Sequence, residues 1–220
     1  MMEKIKLHNE DCLIAMRQMK DNQFDLAIVD PPYGIGMDGT LGKASKKTKG
    51  FTFKAKEYQQ KNWDNETPKK EYFDELFRVS KNQIIWGANY FTDKLPIIKN
   101  YVFWYKKGLS KDSKFNEGEF AYLSRGRTRM IDIWWNGFGV INSGEKRTHP
   151  TQKPVKLYEW LLDNYAEEGQ TILDTHLGSG SIAVACHNRG FDLTGFEIDK
   201  EYFDNAKERL RVHQSQLTMF

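Results

Sequence analysis

A short apolar run that ends at two consecutive prolines constrains the fold of this chain more than any other feature. Residues 24–29 have the length and side-chain composition of a parallel strand that is buried on both faces. Asp30 follows, and then Pro31 and Pro32, which fit neither a helix interior nor a central strand. The sequence therefore predicts a buried strand that leaves its sheet in a rigid loop carrying Asp30 and Tyr33.

Strand-like and helix-like patterns alternate along most of the chain. Residues 4–8 alternate as in a strand, and further segments with the pattern of strands occupy residues 24–29, 83–88, 101–105, 170–173 and 193–196. Helical spacing of apolar side chains occupies residues 11–20, 68–80, 155–166 and 181–188, and a terminal stretch that ends near residue 212. This alternation predicts one α/β domain over residues 1–220, with a doubly wound, mainly parallel sheet.

Two segments interrupt the alternation and carry basic side chains. Residues 37–62 contain seven lysines against Asp38 and Glu57 and show little periodicity, which predicts a long mobile loop. Residues 106–147 are rich in glycine, arginine and aromatic side chains, which predicts an insertion. The candidates for contact with a phosphate backbone are Lys46, Lys47, Lys49, Arg125, Arg127 and Arg129. The arginines alternate as on one face of a strand, although solvated surfaces are the competing interpretation of both segments.

Composition limits the class of protein. The formal net charge is +3. No run of about 18 apolar residues exists, which argues against a membrane span. Residues 1–5 lead directly into a strand pattern, so no signal peptide is expected. Cys12 and Cys186 are too few for a disulfide framework and lack metal-ligand spacing, so we expect a reduced, cytoplasmic protein without a metal site.

A second motif lies near the carboxyl end of the chain. A predicted strand ends at Asp174, the turn Gly178-Ser179-Gly180 leads into a helix, and the next strand ends at Glu197. In Rossmann-like sheets this arrangement binds an adenosine-bearing ligand at the carboxyl ends of the strands. The glycines let the backbone approach the ligand, and Glu197 can accept hydrogen bonds from ribose hydroxyls. A dinucleotide site, or a tight turn without a ligand, is also compatible with this motif alone.

The tetrapeptide from Asp30 to Tyr33 suits chemistry on an aromatic amine. The lone pair of such an amine is delocalised into its ring, which makes the nitrogen a poor nucleophile. Asp30 and the carbonyl group of Pro31 could accept its two N–H bonds and localise the lone pair, and the prolines fix that geometry in advance. Tyr33 offers a ring on which an extruded base could stack. A plain turn at the end of a strand is the alternative.

Three motifs together resemble those of the amino-group DNA methyltransferases. Asp30-Pro31-Pro32-Tyr33 is similar to their catalytic motif, and residues 174–181 are similar to their S-adenosylmethionine motif. Residues 149–154 (His-Pro-Thr-Gln-Lys-Pro) are similar to the segment that precedes the cofactor motif. The order, with the catalytic motif first, resembles the β class, in which the Rossmann-like methyltransferase sheet is circularly permuted. The resemblance spans nearly the whole chain.

The resemblance implies a role for each matched position. The target base, flipped out of double-stranded DNA, would be held by Asp30, Pro31, Pro32 and Tyr33. The residues that would bind S-adenosylmethionine are Asp11, Cys12, Thr151, Lys153, Asp174, Gly178, Ser179, Gly180 and Glu197. Residues 106–147 would recognise the target sequence, and residues 37–62 would close over DNA. Transfer would be direct, with no metal and no covalent enzyme intermediate.

Several alternatives stay open at this stage. Aspartate at the first motif position favours N6 of adenine over N4 of cytosine as the target. RNA, a protein amide, and a nucleic-acid-binding protein with an inactive methyltransferase fold are further candidates. A homodimer and a cognate restriction endonuclease are candidate partners that the sequence does not decide. The family usually has Pro-Phe where this chain has Thr175-His176, and His176 is interpreted as a substituted packing residue rather than a general base.

Overall fold

The computed structural model describes residues 4–39, 60–108, 116–135 and 148–217. The strands in this part of the chain are β1 (Ile5–His8), β2 (Phe24–Val29), β3 (Ser80–Trp86), β4 (Asn100–Lys107), β5 (Gly118–Leu123), β6 (Arg129–Trp134), β7 (Thr171–Asp174) and β8 (Asp192–Phe196). The helices are α1 (Cys12–Arg17), α2 (Lys70–Val79), α3 (Val155–Tyr165), α4 (Ser181–Arg189) and α5 (Lys200–Leu217), with a short 3-10 helix at Ala88–Tyr90. None of the described helices is long and apolar enough to cross a membrane.

The strands form one mixed sheet in the order β1-β8-β7-β2-β3-β5-β4-β6. Strands β1, β8, β7, β2 and β3 are parallel to one another, and β6 is parallel to β4. Strand β5 runs antiparallel to both of its neighbours, β3 and β4. The predicted α/β class and Rossmann-like sheet are confirmed, and β5 is the element that makes the sheet mixed.

Strands β2 and β7 lie side by side in the middle of the sheet. After β2 the chain passes through α2 to β3 on one side, and after β7 it passes through α4 to β8 on the other side. Connections that leave adjacent strands in opposite directions open a crevice at the strands' carboxyl ends, where open α/β sheets bind ligands. Because the β2 half precedes the β7 half in the chain, the strand order has the circular permutation that the motif order predicts.

Helices cover both faces of the sheet and make two hydrophobic cores. One core packs α3, α4 and α5 against the sheet, and the other packs α1 and α2 against the opposite face. In β2, Leu26 and Ile28 face the first core, whereas Ala27 and Val29 face the second. A strand that is buried on both faces needs apolar side chains at successive positions, which is why β2 was predictable from the sequence.

The described part of the segment 106–147 is built into the sheet rather than inserted outside it. Strands β5 and β6 both fall within this segment, and β5 is hydrogen-bonded between β3 and β4. The prediction that Arg125, Arg127 and Arg129 alternate along one strand is wrong. Strand β6 begins only at Arg129, because Gly126 with a φ of +111° turns the backbone before the strand.

The predicted loop over residues 37–62 is described only at its two ends. Residues 40–59 lie outside the described residues, and so do Lys46, Lys47 and Lys49. The prediction that this segment closes over DNA therefore stays a prediction.

Candidate active site

The two sequence motifs meet at the crevice between β2 and β7. Asp30 follows β2 directly, and Asp174 is the last residue of β7. Ala27 pairs with Leu173 in parallel register, so both aspartates leave adjacent strands at the same edge of the sheet. The fold thus brings together one carboxylate from each motif, although 144 positions separate them in the chain.

Asp30 is held by two donors. The phenol of Tyr33 donates to Asp30 Oδ1 at 2.7 Å, and the ammonium group of Lys153 donates to Oδ2. Burial raises the pKa of Asp30, Lys153 lowers it, and Glu119 raises it again. The net direction is upward, so Asp30 is a more basic carboxylate than an exposed aspartate and still has a cation to support its charge.

Alternating charges continue from Asp30 towards β4. Lys153 contacts Glu119 Oε2 at 3.1 Å, and Lys106 donates to Glu119 Oε1. The side chains of Lys153 and Lys106 are only 4% and 8% exposed. Burial would raise the pKa of Glu119, but the two ammonium groups lower it to about 2. We call Lys106, Glu119, Lys153 and Asp30 the charge row, and its two positive and two negative side chains balance.

Tryptophan rings surround the two ammonium groups of the charge row. Lys106 Nζ lies 4.6 Å from the ring centroid of Trp135 and 5.2 Å from that of Trp104. Lys153 Nζ lies 5.4 Å from the ring centroid of Trp86. Aromatic faces attract cations and exclude water, so these rings help to hold both lysines in a site where few polar groups are available.

The ring of Tyr33 is packed closely on both the backbone and a neighbouring ring. It stacks on Tyr90 with 4.9 Å between centroids and 14° between planes. Gly87 has a φ of +74°, and a Cβ atom there would come within 2.2 Å of the Tyr33 ring. Glycine is therefore required at position 87. One face of Tyr33 is already covered by Tyr90, so a base would stack beside this aromatic pair or displace Tyr90.

A cavity of about 480 Å³ opens beside the charge row. Its walls include Asp30, Tyr33, Tyr90, Trp104, Lys106, Glu119, Trp135, Thr151 and Lys153. Its volume falls within the range of small-molecule sites, and it combines aromatic walls with a few polar groups, as such sites do. The arrangement suits a flat, aromatic ligand that presents hydrogen-bond donors to a carboxylate.

Asp174 is a buried carboxyl group on the other side of the crevice. Its Oδ1 atom accepts the backbone N–H of His176 at 3.0 Å. Burial raises the pKa of Asp174 to about 8, against the effect of that N–H group, and the charges of Asp30 and Glu197 add to the rise. A nearby positive charge favours the ionised form of such a group. Asp174 therefore fits a ligand that carries a cation.

Glu197 and the glycine turn form the neighbouring part of the site. Glu197 Oε2 accepts the backbone N–H of Gly178 at 2.8 Å, and Oε1 accepts that of Asp199 at 2.9 Å. Each oxygen keeps a lone pair that a ribose hydroxyl can use. Gly180 has a φ of +72°, and a Cβ atom there would lie 2.9 Å from Ala206 Cβ, so glycine is required. With the cation site at Asp174, these residues fit the adenosine and methionine parts of S-adenosylmethionine.

Asp11 and Cys12 lie where β1 turns into α1. Asp11 Oδ1 accepts the backbone N–H of Leu13 at 2.7 Å and so caps the helix. Burial raises the pKa of Cys12 to about 12, and the charges of Asp11 and Asp174 add to the rise. The thiol therefore stays protonated. Among the described residues, no group of three or more His, Cys, Asp or Glu side chains could hold a metal ion.

His176 is a neutral, packed side chain. Burial lowers its pKa to about 4. Its ring meets Tyr72 edge-on with 5.3 Å between centroids, and its Nδ1 atom lies 2.9 Å from Thr175 Oγ1. These contacts favour the interpretation of His176 as a packing residue, because a general base needs a pKa nearer to neutral pH.

The segment that precedes the cofactor motif contributes to both sides of the crevice. Thr151 lines the cavity. The ammonium group of Lys153 donates to Asp30, and its expected position near the carboxylate of the cofactor stays a prediction. The carbonyl oxygen of Lys153 accepts the hydroxyl of Ser181 at 2.7 Å, and Ser181 Oγ lies 3.0 Å from Ser179 Oγ. Lys153 therefore ties the cofactor turn to the catalytic loop.

The described basic side chains differ in their availability to a phosphate backbone. Arg125 and Arg127 are exposed, and Arg129 is half-buried at the start of β6. Lys61 forms an ion pair with Asp199 at 2.7 Å. Of the residues expected to contact DNA, the structure thus places three arginines on the β5–β6 side of the molecule, whereas Lys61 is engaged beside the cofactor turn.

Two residues of the site escaped the sequence analysis. Glu119 was not singled out, and Lys106 was grouped with a basic segment expected to contact a phosphate backbone. The sequence did contain a signal for Lys106, because this lysine shares one face of the strand with Val102 and Trp104. In the structure all three side chains are buried. A lysine on the buried side of a strand needs a buried carboxylate. Trp104 pairs with Glu119 across the β4–β5 ladder, but that pairing is visible only in the folded chain.

Comparison with known proteins agrees with this geometry. The family model described as DNA methylase matches residues 77–208. Type II methyltransferase M.HpaI of Haemophilus parainfluenzae is 26% identical over 89% of this chain and 71% of its own length. Type II methyltransferase M2.DpnII of Streptococcus pneumoniae is 24% identical over 95% of this chain and 90% of its own length.

Solved structures of methyltransferases share the fold. The M1.HpyAVI–SAM complex has a TM-score of 0.62 at 20% identity and covers 94% of this chain and 98% of its own. PvuII DNA methyltransferase (cytosine-N4-specific) has a TM-score of 0.61 at 11% identity and covers 97% of this chain and 92% of its own. The sheet is thus that of the S-adenosylmethionine-dependent methyltransferases. The family match covers more than half of the sequence, and the chain belongs to the DNA methylase family of N6 and N4 amino-methyltransferases.

Proposed function

We propose that this chain transfers a methyl group from S-adenosylmethionine to the N6 amine of adenine in double-stranded DNA. The observation that carries the proposal is the position of Asp30 and Asp174 at the carboxyl ends of adjacent strands. Asp30 suits an amine that donates hydrogen bonds, and Asp174 suits a cationic cofactor. Adjacent strands lie about 4.8 Å apart, so the groups that these carboxylates hold can meet in the crevice.

The cofactor side is formed by residues that this chain presents around the β7–α4 turn. When bound, S-adenosylmethionine supplies an electrophilic methyl group on a positively charged sulfur. Asp174 pairs with the cationic methionine part, and Glu197 accepts the ribose hydroxyls. Residues 178–180 let the backbone approach the ligand. Asp11 and Cys12 border the adenine ring in this proposal, as the resemblance implies.

The catalytic side prepares the target amine. Asp30 accepts one N–H bond of the amine and the carbonyl oxygen of Pro31 accepts the other, which localises the nitrogen lone pair towards the methyl group. The nitrogen becomes positively charged as the new bond forms, and the Asp30 carboxylate stabilises that charge. The raised pKa of Asp30, caused by its burial, also makes this carboxylate a suitable acceptor for the proton that the methylated amine releases.

The target base has to leave the duplex to reach Asp30. The cavity beside Tyr33 and Tyr90 provides aromatic walls for the extruded base. Contacts with the phosphate backbone are assigned to Lys46, Lys47, Lys49, Arg125, Arg127 and Arg129. Binding of this kind weakens steeply with salt because it releases counterions from DNA. Recognition of a target sequence by residues 106–147, a homodimer and a partner endonuclease are not needed for this chemistry and stay predictions.

Cytosine is the competing target. Its N4 amine offers the same two N–H donors to Asp30 and to the Pro31 carbonyl group, and the reaction at nitrogen would be the same. Aspartate at position 30 supports adenine through the resemblance to the family. In that family, enzymes that act on the amine of cytosine more often have serine at this first position of the motif.

The test is methyl transfer from labelled S-adenosylmethionine to mixed-sequence unmethylated DNA, followed by nucleoside analysis of the product. We expect N6-methyladenine from the wild-type protein and none from Asp30→Ala. Asp21→Ala is the matched control, because Asp21 is 73% exposed and precedes the amino end of β2. N4-methylcytosine would keep the mechanism and overturn the choice of base. Product from RNA alone would overturn the choice of nucleic acid.

A further inference from the structure

We propose that Glu119 is a positioning residue of the transfer site, which shares the Lys153 ammonium group with Asp30 and so sets how much negative charge Asp30 presents to the target amine. The inference rests on the proposed function and deepens it, because it explains why two lysines and two carboxylates are buried together beside the catalytic loop. Its evidence is the geometry of the charge row.

Two bridges connect Glu119 to Asp30. The Lys153 ammonium group contacts Asp30 Oδ2 and also lies 3.1 Å from Glu119 Oε2. The Tyr33 phenol oxygen lies 2.7 Å from Asp30 Oδ1 and 3.3 Å from the same Glu119 oxygen. Glu119 and Asp30 therefore compete for the same two donors.

Lys106 affects how strongly Glu119 competes for these donors. It donates to Glu119 Oε1, so each oxygen of Glu119 faces its own ammonium group, whereas in the described part of the chain Asp30 pairs with Lys153 alone. Glu119 consequently stays ionised near neutral pH, because both lysines lower its pKa to about 2. A permanently charged Glu119 draws part of the Lys153 charge away from Asp30.

This division of charge matters for the reaction. A carboxylate that is fully neutralised by an ammonium group stabilises a developing positive charge on the amine less well than one that is partly neutralised. Without any cation, however, burial would favour the protonated form of Asp30, which offers the amine no negative charge. Lys153 shared between two carboxylates keeps Asp30 ionised and leaves it negative charge to offer.

Other titratable groups also face Asp30 from the surrounding elements. They are Tyr33, Tyr72, Tyr158 and Asp174, in addition to Lys153 and Glu119. Burial raises the pKa of each tyrosine well above its usual value, so the tyrosines stay neutral. Asp174 titrates near pH 8, and an Asp174→Asn background removes its contribution from any measurement on Asp30.

The test measures the pKa of Asp30 directly, in the full chain without DNA or cofactor. Protein labelled with ¹³C at aspartate carboxyl carbons is titrated by NMR in the Asp174→Asn background, and the Asp30 signal is the one that Asp30→Asn removes. We expect Glu119→Gln to lower the pKa of Asp30 by about one pH unit, and Lys153→Met to raise it by about the same amount. Lys81→Met, at the amino end of β3, is the matched control and leaves it unchanged.

Opposite shifts from the two substitutions support the proposal. A purely structural role for Glu119 would lower the unfolding temperature of Glu119→Gln without moving the pKa of Asp30, and that result overturns the proposal. If Glu119→Gln does not fold, Lys106→Met replaces it. Glu119 then has only Lys153 as its cation and draws it more strongly, so the pKa of Asp30 rises, and an unchanged pKa overturns the proposal.

Methyl-transfer kinetics provide the second readout. In Glu119→Gln we expect the rise of kcat with pH to occur at lower pH, because the pKa of Asp30 is lower. We also expect the maximal kcat to fall about tenfold, since a change of one pKa unit corresponds to a tenfold change in an equilibrium constant. We expect the KM for DNA to change less than kcat, because Glu119 acts mainly through Asp30, although it also lines the cavity proposed for the base. A wild-type protein without transfer activity would refute the proposed function, whereas an active wild type with an unmoved Asp30 titration would refute this inference alone.

Discussion

Asp30 and Asp174 are two buried carboxyl groups at the ends of adjacent strands, yet their surroundings differ. Asp30 forms an ion pair with Lys153 and accepts a hydrogen bond from Tyr33. Asp174 accepts one backbone N–H, and among the described residues it forms no ion pair. Burial opposes ionisation at both positions, but among the described residues only Asp30 has a cation in direct contact, whereas Lys153 acts on Asp174 from a longer distance.

The difference shows how the two halves of the site are completed. The catalytic half is organised before a ligand arrives, because the charge row holds Asp30 in place and keeps it charged. The cofactor half is completed by the ligand, since a cation beside Asp174 removes the cost of ionising it. The same substitution, aspartate to asparagine, can be made in both halves. At Asp30 it should reduce the rate of transfer, whereas at Asp174 it should change the stability of the protein and its affinity for the cofactor.

The largest effect is expected from Asp30→Asn on the rate of transfer. Asparagine keeps the shape of the side chain but removes the negative charge that stabilises the methylated amine. We expect kcat/KM to fall by about a thousandfold or more. Lys153 keeps Glu119 as a partner, so the variant should fold. Transfer kinetics beside Asp21→Asn check this, and a loss smaller than about tenfold would show that Asp30 is not the amine acceptor.

The next effect concerns stability, with Asp174→Asn as the variant. Asp174 has a pKa of about 8 in the folded protein and near 3.9 in an unfolded chain. Between these values the folded state binds more protons than the unfolded state, so the free energy of unfolding falls as pH rises from about 4 to 8. Asparagine does not ionise, so Asp174→Asn lacks this decrease in the free energy of unfolding. Urea unfolding should find it as stable as wild type near pH 4 and more stable, by on the order of 2–5 kcal/mol, near pH 9.

Equal stability of Asp174→Asn and wild type at the higher pH would contradict the account of Asp174. It would mean that the protein already contains a cation for this carboxylate and that both halves of the site are organised in the same way.

A smaller effect is expected from Tyr33→Phe. The substitution removes the phenol that donates to Asp30 at 2.7 Å but keeps the ring that stacks on Tyr90. A hydrogen bond to a charged group contributes about 1.5–3 kcal/mol, so kcat should fall by about ten- to a hundredfold. Calorimetry should find the affinity for S-adenosylmethionine unchanged. A variant that transfers normally but binds the cofactor poorly would assign Tyr33 to the other half of the site.

The smallest effect is expected from Lys61→Met, next to the cofactor turn. Lys61 pairs with Asp199 and Glu201, and the side chain of Glu201 is 66% exposed. Partly exposed pairs of this kind contribute about 1 kcal/mol or less, and salt weakens them. The free energy of unfolding should fall by no more than this at low salt and hardly at all at high salt. A larger, salt-independent loss would show that the Lys61 side chain, which is 18% exposed and lies 4.3 Å from the Tyr202 ring centroid, stabilises the fold through packing.

The parts of the fold that follow from local pattern were predictable from the sequence. The apolar run of β2 and the prolines after it determine the catalytic loop, and the turn at residues 178–180 determines the cofactor loop. The strand starting near residue 83 was placed too late, because α2 passes directly into β3 at Ser80. There the hydroxyl of Ser80 donates to the carbonyl oxygen of Leu76 and joins helix to strand without a loop.

The parts that depend on distant pairing were not predictable. Strand β5 follows β4 in the chain but enters the sheet between β3 and β4, and nothing in its own residues encodes that position. The charge row depends on this step, because β5 brings Glu119 opposite Trp104 and within reach of two lysines. The resemblance placed Lys153 near the cofactor, which stays a prediction, whereas its contact with Asp30 is visible only in the folded chain.

The most direct test of the central claim is the affinity of S-adenosylmethionine for Asp30→Asn and Asp174→Asn, measured side by side by calorimetry at one pH. We predict that Asp30→Asn binds within about threefold of wild type, because the Asp30 carboxylate is paired with Lys153 and serves the target amine rather than the cofactor in the proposed site. Asp174→Asn should bind S-adenosylmethionine at least about thirtyfold more weakly. Removing the buried carboxylate that pairs with a cationic ligand costs at least about 2 kcal/mol of binding free energy. Equal losses in both variants, or a loss confined to Asp30→Asn, would contradict the division of the site into a half organised by the protein and a half completed by the ligand.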